Sequence, residues 1–169
     1  MLGGPHTAGP CPRRKEAATV VTNVFVNLPT SDVERAKKFY SGLGWEINPL
    51  FSEDNSACVV IDEHLFLMIL SREFFGTFTD KPIVDPGTAL QVEIAFSRES
   101  RAGVDAILEK VVTAGGREHR GAQDYGFMYA RGFEDPDGNL FSALWMDPVA
   151  AEIGPAAYRV QRGTADPVE

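Results

Sequence analysis

Leu28-Pro29-Thr30-Ser31-Asp32-Val33-Glu34-Arg35-Ala36-Lys37-Lys38-Phe39-Tyr40-Ser41-Gly42-Leu43-Gly44-Trp45 holds a strand end, a helix and a helix stop. The run from Val24 to Leu28 is β-branched and aromatic, the composition of a strand. Pro29-Thr30 breaks that run. Ser31 and Glu34 stand three apart, the spacing of a capping box. Val33, Ala36, Phe39 and Tyr40 then recur at helical spacing, while Glu34, Arg35, Lys37 and Lys38 fall on the water-facing side. Gly42-Leu43-Gly44 ends the helix, because glycine tolerates a left-handed cap. Three further strands follow at Trp45 to Pro49, Ala57 to Ile61 and Leu65 to Leu70. Asp62-Glu63-His64 is the expected turn between the last two.

The same order recurs downstream. Leu90 to Phe96 reads as a strand and Ser97 to Ser100 carries cap residues. Val104, Ile107, Leu108, Val111 and Val112 trace an apolar helical stripe, which Gly115-Gly116 stops. Strands are expected at Arg117 to Arg120, Phe127 to Phe133 and Asn139 to Met146. Asp135-Pro136-Asp137-Gly138 makes a tight turn before the last of these. Phe74 to Gly87, with Pro82 and Pro86, joins the halves and reads either as a plain connection or as a lid. The resulting organisation is a disordered leader at 1–20, one domain at 21–148 with modules at about 22–73 and 88–147, and a loosely docked or disordered tail at 149–169.

Composition bounds the chemistry. The chain has 169 residues, with 44% hydrophobic and 24% charged, an ordinary globular balance. No apolar run approaches the roughly 20 residues needed to span a bilayer, and the N-terminus lacks the apolar stretch of a secretory signal. A net charge of −8 repels polyanions, so neither nucleic acid nor membrane is an expected partner, and a cationic ligand is compatible with it. Cys11 in the leader and Cys58 in a strand are poorly placed for a disulfide, consistent with a reducing cytoplasm. Cys58 reads as a buried inert thiol, with a nucleophile as the alternative.

Strand, capped helix, glycine stop and three strands, occurring twice, resembles the vicinal-oxygen-chelate superfamily, which includes glyoxalase I, extradiol dioxygenases and bleomycin-resistance proteins. The resemblance covers Thr22 to Pro148. It is carried by the stretch quoted above and by Phe133-Glu134-Asp135-Pro136-Asp137-Gly138-Asn139-Leu140, which is similar to the family's DPDGN turn. Gln123 to Tyr129 and Trp145 to Pro148 look like a branch labelled lactoylglutathione-lyase-like. The implied fold class is α+β, two βαβββ modules forming an open, curled mixed sheet around a central cleft. One such fold hosts lyases, oxygenases and plain binders, so the fold leaves the chemistry open.

Metalloenzymes of the superfamily hold a divalent ion in that cleft with His, Gln or Glu ligands. The resemblance places the corresponding positions at Phe25, Met68, Glu93 and Ser142. Phenylalanine has no lone pair, a thioether is too soft for such ions, and a neutral hydroxyl is a poor ligand. A catalytic zinc needs about three protein ligands. A shift of two residues keeps strand parity and substitutes Asn27 or Gln91, which restores no strong site. His6, His64 and His119 show no paired spacing and read as exposed, solvated residues. No cofactor is therefore expected, or at most a weakly bound divalent metal.

Glu93 is the candidate catalytic carboxylate. In an apolar cleft walled by Phe25, Met68 and Leu144, desolvation would raise its pKa and suit it to general base chemistry or to pairing a cationic group. The alternative is a plain ion pair with Arg131. Tyr129 and Arg131 share one strand face and present a phenol and a guanidinium either to the cleft or to the outside. The ligand-binding candidates are thus Phe25, Asn27, Met68, Gln91, Tyr129, Arg131 and Ser142. The expected function is binding of a small organic molecule without a tightly held metal, and the exposed edges of the sheets are compatible with a homodimer. The alternative is a metal-dependent glyoxalase-like lyase or extradiol-type dioxygenase.

Overall fold

The structure is a computed structural model and describes residues 21–90 and 92–163. The leader, Cys11 and His6 within it, Gln91 and residues 164–169 lie outside the described residues. Two modules repeat one topology. The first runs β1 (Val24–Thr30), α1 (Val33–Gly42), β2 (Glu46–Glu53), β3 (Ser56–Asp62) and β4 (Leu65–Ser71). A short α2 (Arg72–Gly76) opens the connection. The second module runs β5 (Glu93–Ser97), α3 (Arg101–Thr113), β6 (Arg117–Asp124), β7 (Met128–Glu134) and β8 (Leu140–Met146). The sheet orders are β1-β4-β3-β2 and β5-β8-β7-β6. In each sheet the first and last strands of the module pair in parallel and the other pairs are antiparallel. This is the expected α+β architecture of two βαβββ modules.

Each helix lies on one face of its sheet, because its apolar stripe and the alternate residues of the strands need a common dry interior. Helix α1 buries Val33, Ala36, Phe39 and Tyr40, the four residues the spacing identified. Helix α3 buries Val104, Ile107, Leu108 and Val111, whereas Val112 is 59% exposed and lies off the stripe. Val26, Leu28, Leu67 and Ile69 of the first sheet and Ile94, Phe96, Phe133, Phe141 and Ala143 of the second belong to one shared core. Tyr40 meets Phe141 edge-on at 6.2 Å between centroids, and Trp45 meets Phe96 at 5.5 Å. The two modules are joined through their helix-bearing faces.

A polar clasp closes that junction. Tyr40, wholly buried, donates from Oη to Asp135 Oδ2 at 2.7 Å. Asn139 donates to the same carboxylate from Nδ2 at 2.8 Å and from its backbone at 2.8 Å. Burial pushes both the Tyr40 phenol and the Asp135 carboxyl up. The helix cap departs from expectation. Asp32, not Ser31, caps α1, accepting from Arg35 N at 2.9 Å. Ser31 is engaged elsewhere, donating from Oγ to Asp137 Oδ1 at 2.8 Å, with its backbone N–H at 3.0 Å. Thr30 Oγ1 and Arg35 complete the Asp137 shell at 2.6 and 2.7 Å. The turn of one module thereby ties down the helix entry of the other.

From Asp147 to Gly163 the chain is folded, where the sequence suggests a loosely docked or disordered tail. Asp147 caps α4 (Pro148–Ile153), and Gly154 leads into α5 (Pro155–Arg162). Tyr158 is buried beside Phe127 and Ala150, and donates to Asp147 Oδ2 at 3.0 Å. No helix among the described residues is long and apolar enough to cross a membrane.

Candidate functional site

On β1 the residues opposite the helices are Phe25 and Asn27, which are exposed. Phe25 stacks on Phe66 of β4 at 5.0 Å, and Asn27 lies level with Met68. On the second sheet Glu93 is level with Leu140, and Ser142 with Ala95. Since both sheets turn their helix sides into one core, the faces carrying Phe25, Asn27 and Met68 and those carrying Glu93 and Ser142 look away from it. Glu93 is exposed at the start of β5, without the apolar enclosure expected around it. Its predicted partner is also otherwise engaged. Arg131 bonds Asp105 Oδ1 at 2.9 Å and Glu118 Oε1 at 2.8 Å.

Tyr129 and Arg131 take the helix side of β7. Tyr129 donates to Asp105 Oδ1 of α3 at 2.8 Å, and the two donors hold that carboxyl below its ordinary value. Their role is to fasten α3 to its sheet. His119, expected to be solvated, bonds Glu134 Oε1 through Nδ1 at 2.8 Å, beside an Arg117 ion pair to the same carboxylate. Burial would raise Glu134, but Arg117 and His119 hold it low. His64 sits in the β3–β4 turn against Asn23 at 3.0 Å. Cys58 is buried and its thiol is pushed up by desolvation, the environment of an inert thiol.

Does this set of donors fit the divalent ion that the family resemblance implies? Among the described residues no group of three or more His, Cys, Asp or Glu stands close enough to hold one. The side chains at the corresponding positions are aromatic, thioether, hydroxyl and a single exposed carboxylate. They do not fit a tightly coordinated oxygen- and nitrogen-seeking ion.

An enclosed space lies elsewhere, where the modules and their connection meet. A cavity of about 280 Å³ has walls from Asn27 to Pro29 of β1, Ile94 of β5 and Leu140 of β8, and its roof is the connecting segment from Phe75 to Leu90, with Val92 beside it. Of the predicted ligand residues it takes in Asn27. The roof is pinned at two places. The Arg72 guanidinium donates to the carbonyls of Ile83 at 2.9 Å and Val84 at 3.3 Å. Gly138, at φ +93°, passes so close that a Cβ there would stand 2.9 Å from Gly87 N. Strand β5 begins three residues later than the sequence suggests, and Leu90 and Val92 line the cavity instead of the sheet. Lys81, Ile83 and Leu90 had no site motif; the one signal was the length and proline content of the segment.

Residues 22–62 match the family model for the bleomycin resistance protein-like N-terminal region. No curated protein matches the chain. Among solved structures, a hypothetical protein from S. aureus, SA1046, is 24% identical with a TM-score of 0.64, over 75% of this chain and 95% of that one. A glyoxalase-related enzyme from Fulvimarina pelagi is 19% identical with a TM-score of 0.62, over 76% and 88%. A glyoxalase/bleomycin resistance protein/dioxygenase family enzyme from Burkholderia phytofirmans PsJN is 15% identical with a TM-score of 0.61, over 72% and 96%.

Proposed function

We propose that this chain, which shares the fold of the glyoxalase and bleomycin resistance proteins it is similar to, is a member of the vicinal-oxygen-chelate superfamily and binds a small, largely apolar organic molecule without a resident metal ion, in the cavity beneath the inter-module segment. The observation that carries this reading is the cavity itself. It is concave, apolar along most of its wall, and fitted with a few polar side chains, the ordinary form of a small-molecule site. The donor chemistry of the sheet faces supports the absence of a tightly held ion. The binding residues in this reading are Asn27, Ile94 and Leu140, with the segment around Lys81 to Leu90 as a lid. Two copies pair through the open sheet faces, which carry the exposed Phe25.

A neutral apolar probe tests the cavity. Octanamide binds the full chain at one per chain by titration calorimetry, and Ala89→Trp, which fills the cavity mouth, abolishes the heat. Zn²⁺, Ni²⁺, Mn²⁺ and Fe²⁺ produce no thermal shift. Failure of both octanamide and its carboxylate counterpart, octanoate, to bind would remove the cavity from consideration. A stoichiometric ion by metal analysis would instead favour a metal-dependent lyase or dioxygenase.

A further inference from the structure

The charge inside the cavity runs against the charge of the chain. Aspartate and glutamate number 24 against 16 lysines and arginines, yet no carboxylate lines the cavity. Lys81 is its one charged lining residue. Among the described residues Lys81 has no ion-pair partner, and Asn27 no side-chain hydrogen bond. The acids nearest in sequence do not neutralise the lysine there. Asp80 is outside the lining, and Asp85 Oδ1 accepts from Gly87 N at 3.0 Å and faces a neighbouring surface depression. That depression, on the other side of Pro29 and Pro86, holds Arg35 and Arg72. Arg72 adds a second positive charge to the same segment, bound to the carbonyls of Ile83 and Val84.

A single unpaired ammonium at the edge of a mostly apolar wall suits a ligand of matching form, with one negative charge at one end and a hydrocarbon body. A phosphate or other dianion calls for several converging donors, usually arginines or backbone N–H groups, and Lys81 with the Asn27 amide and the Thr79 hydroxyl does not supply them, the Asn139 amide being spent on Asp135. A cation, which the net charge alone favours, would meet Lys81 as a like charge. We propose that the cavity is selective for monoanionic amphiphiles, medium-length carboxylates whose tail packs on Ile94, Leu140 and the roof while the carboxylate pairs with Lys81 and accepts from Asn27. This selectivity rests on the cavity being the binding site.

Octanoate and octanamide have nearly the same shape and differ in charge, so they separate the two readings. At neutral pH and low salt, octanoate binds the full chain about tenfold more tightly than octanamide, the size of one charge-assisted hydrogen bond. Lys81→Met brings the ratio to near one, and Lys81→Arg retains the preference. Added salt narrows the ratio. Equal affinities in the parent protein would overturn the charge selectivity and leave the cavity as a neutral apolar site. Octanoate binding undiminished by Ala89→Trp would overturn both, since the ligand would then sit elsewhere. Absence of binding by either probe would also overturn both.

Discussion

Asp137 shows how one side chain serves two modules. Its carboxylate accepts from Thr30 Oγ1, Ser31 N and Oγ, and Arg35, all at the entry to the first module's helix. Burial would raise this carboxyl, but those hydrogen bonds and the Arg35 charge hold it below the ordinary carboxylate value. The stabilisation is therefore complete above the unfolded-state value and is lost as the pH falls through the folded one. Asp137→Asn destabilises the chain near neutral pH by about 1–2 kcal/mol. Its deficit relative to the parent shrinks as the pH falls below the ordinary carboxylate range, as read by urea midpoints. Tyr40→Phe removes a buried donor from Asp135 and costs about 2 kcal/mol. An unchanged midpoint would show that the clasp contributes nothing.

The connecting segment and the C-terminal helices are the elements that local pattern described least well. Both are held by a few specific contacts rather than by a long apolar stripe. Arg72 is the anchor of the former. Arg72→Ala frees the carbonyls of Ile83 and Val84, speeds amide hydrogen exchange over 77–89, and weakens octanamide binding several-fold with little change in global stability. Exchange rates that do not move would mean that the segment is held by its apolar side chains alone. For the C-terminal helices, Tyr158→Ala detaches α5 from Phe127 and Asp147. Exchange then rises over 148–162 while the protection of α1 and α3 is retained, because the small cluster around Tyr158 is separate from the main core.

In the whole molecule, the main core behind both sheets leaves parts of their other faces open, while Cys58, Leu70, Ala130 and Leu140 on those faces are buried. Phe25 is 53% exposed. A surface of that kind is expected to be covered by a second copy. Light scattering then gives twice the chain mass, and Phe25→Asp shifts the protein toward monomer without loss of helix content. A monomeric parent would end this part of the proposal.

Helix positions, glycine stops and the tight Asp-Pro-Asp-Gly turn could be read from the sequence because each depends on neighbours within a few residues: side-chain periodicity, a φ angle, a missing Cβ. With those elements placed, the twofold topology followed. Asn27 was legible as a candidate for the same reason, through strand parity, and it lines the cavity. Tertiary packing alone decided that Ser31 spends its hydroxyl on a carboxylate 106 residues away, that Arg131 answers Asp105 instead of Glu93, and that a proline-containing connection roofs the enclosed space. Such pairings depend on where two distant segments dock, and a polar side chain takes whichever partner the shared core brings within bonding distance.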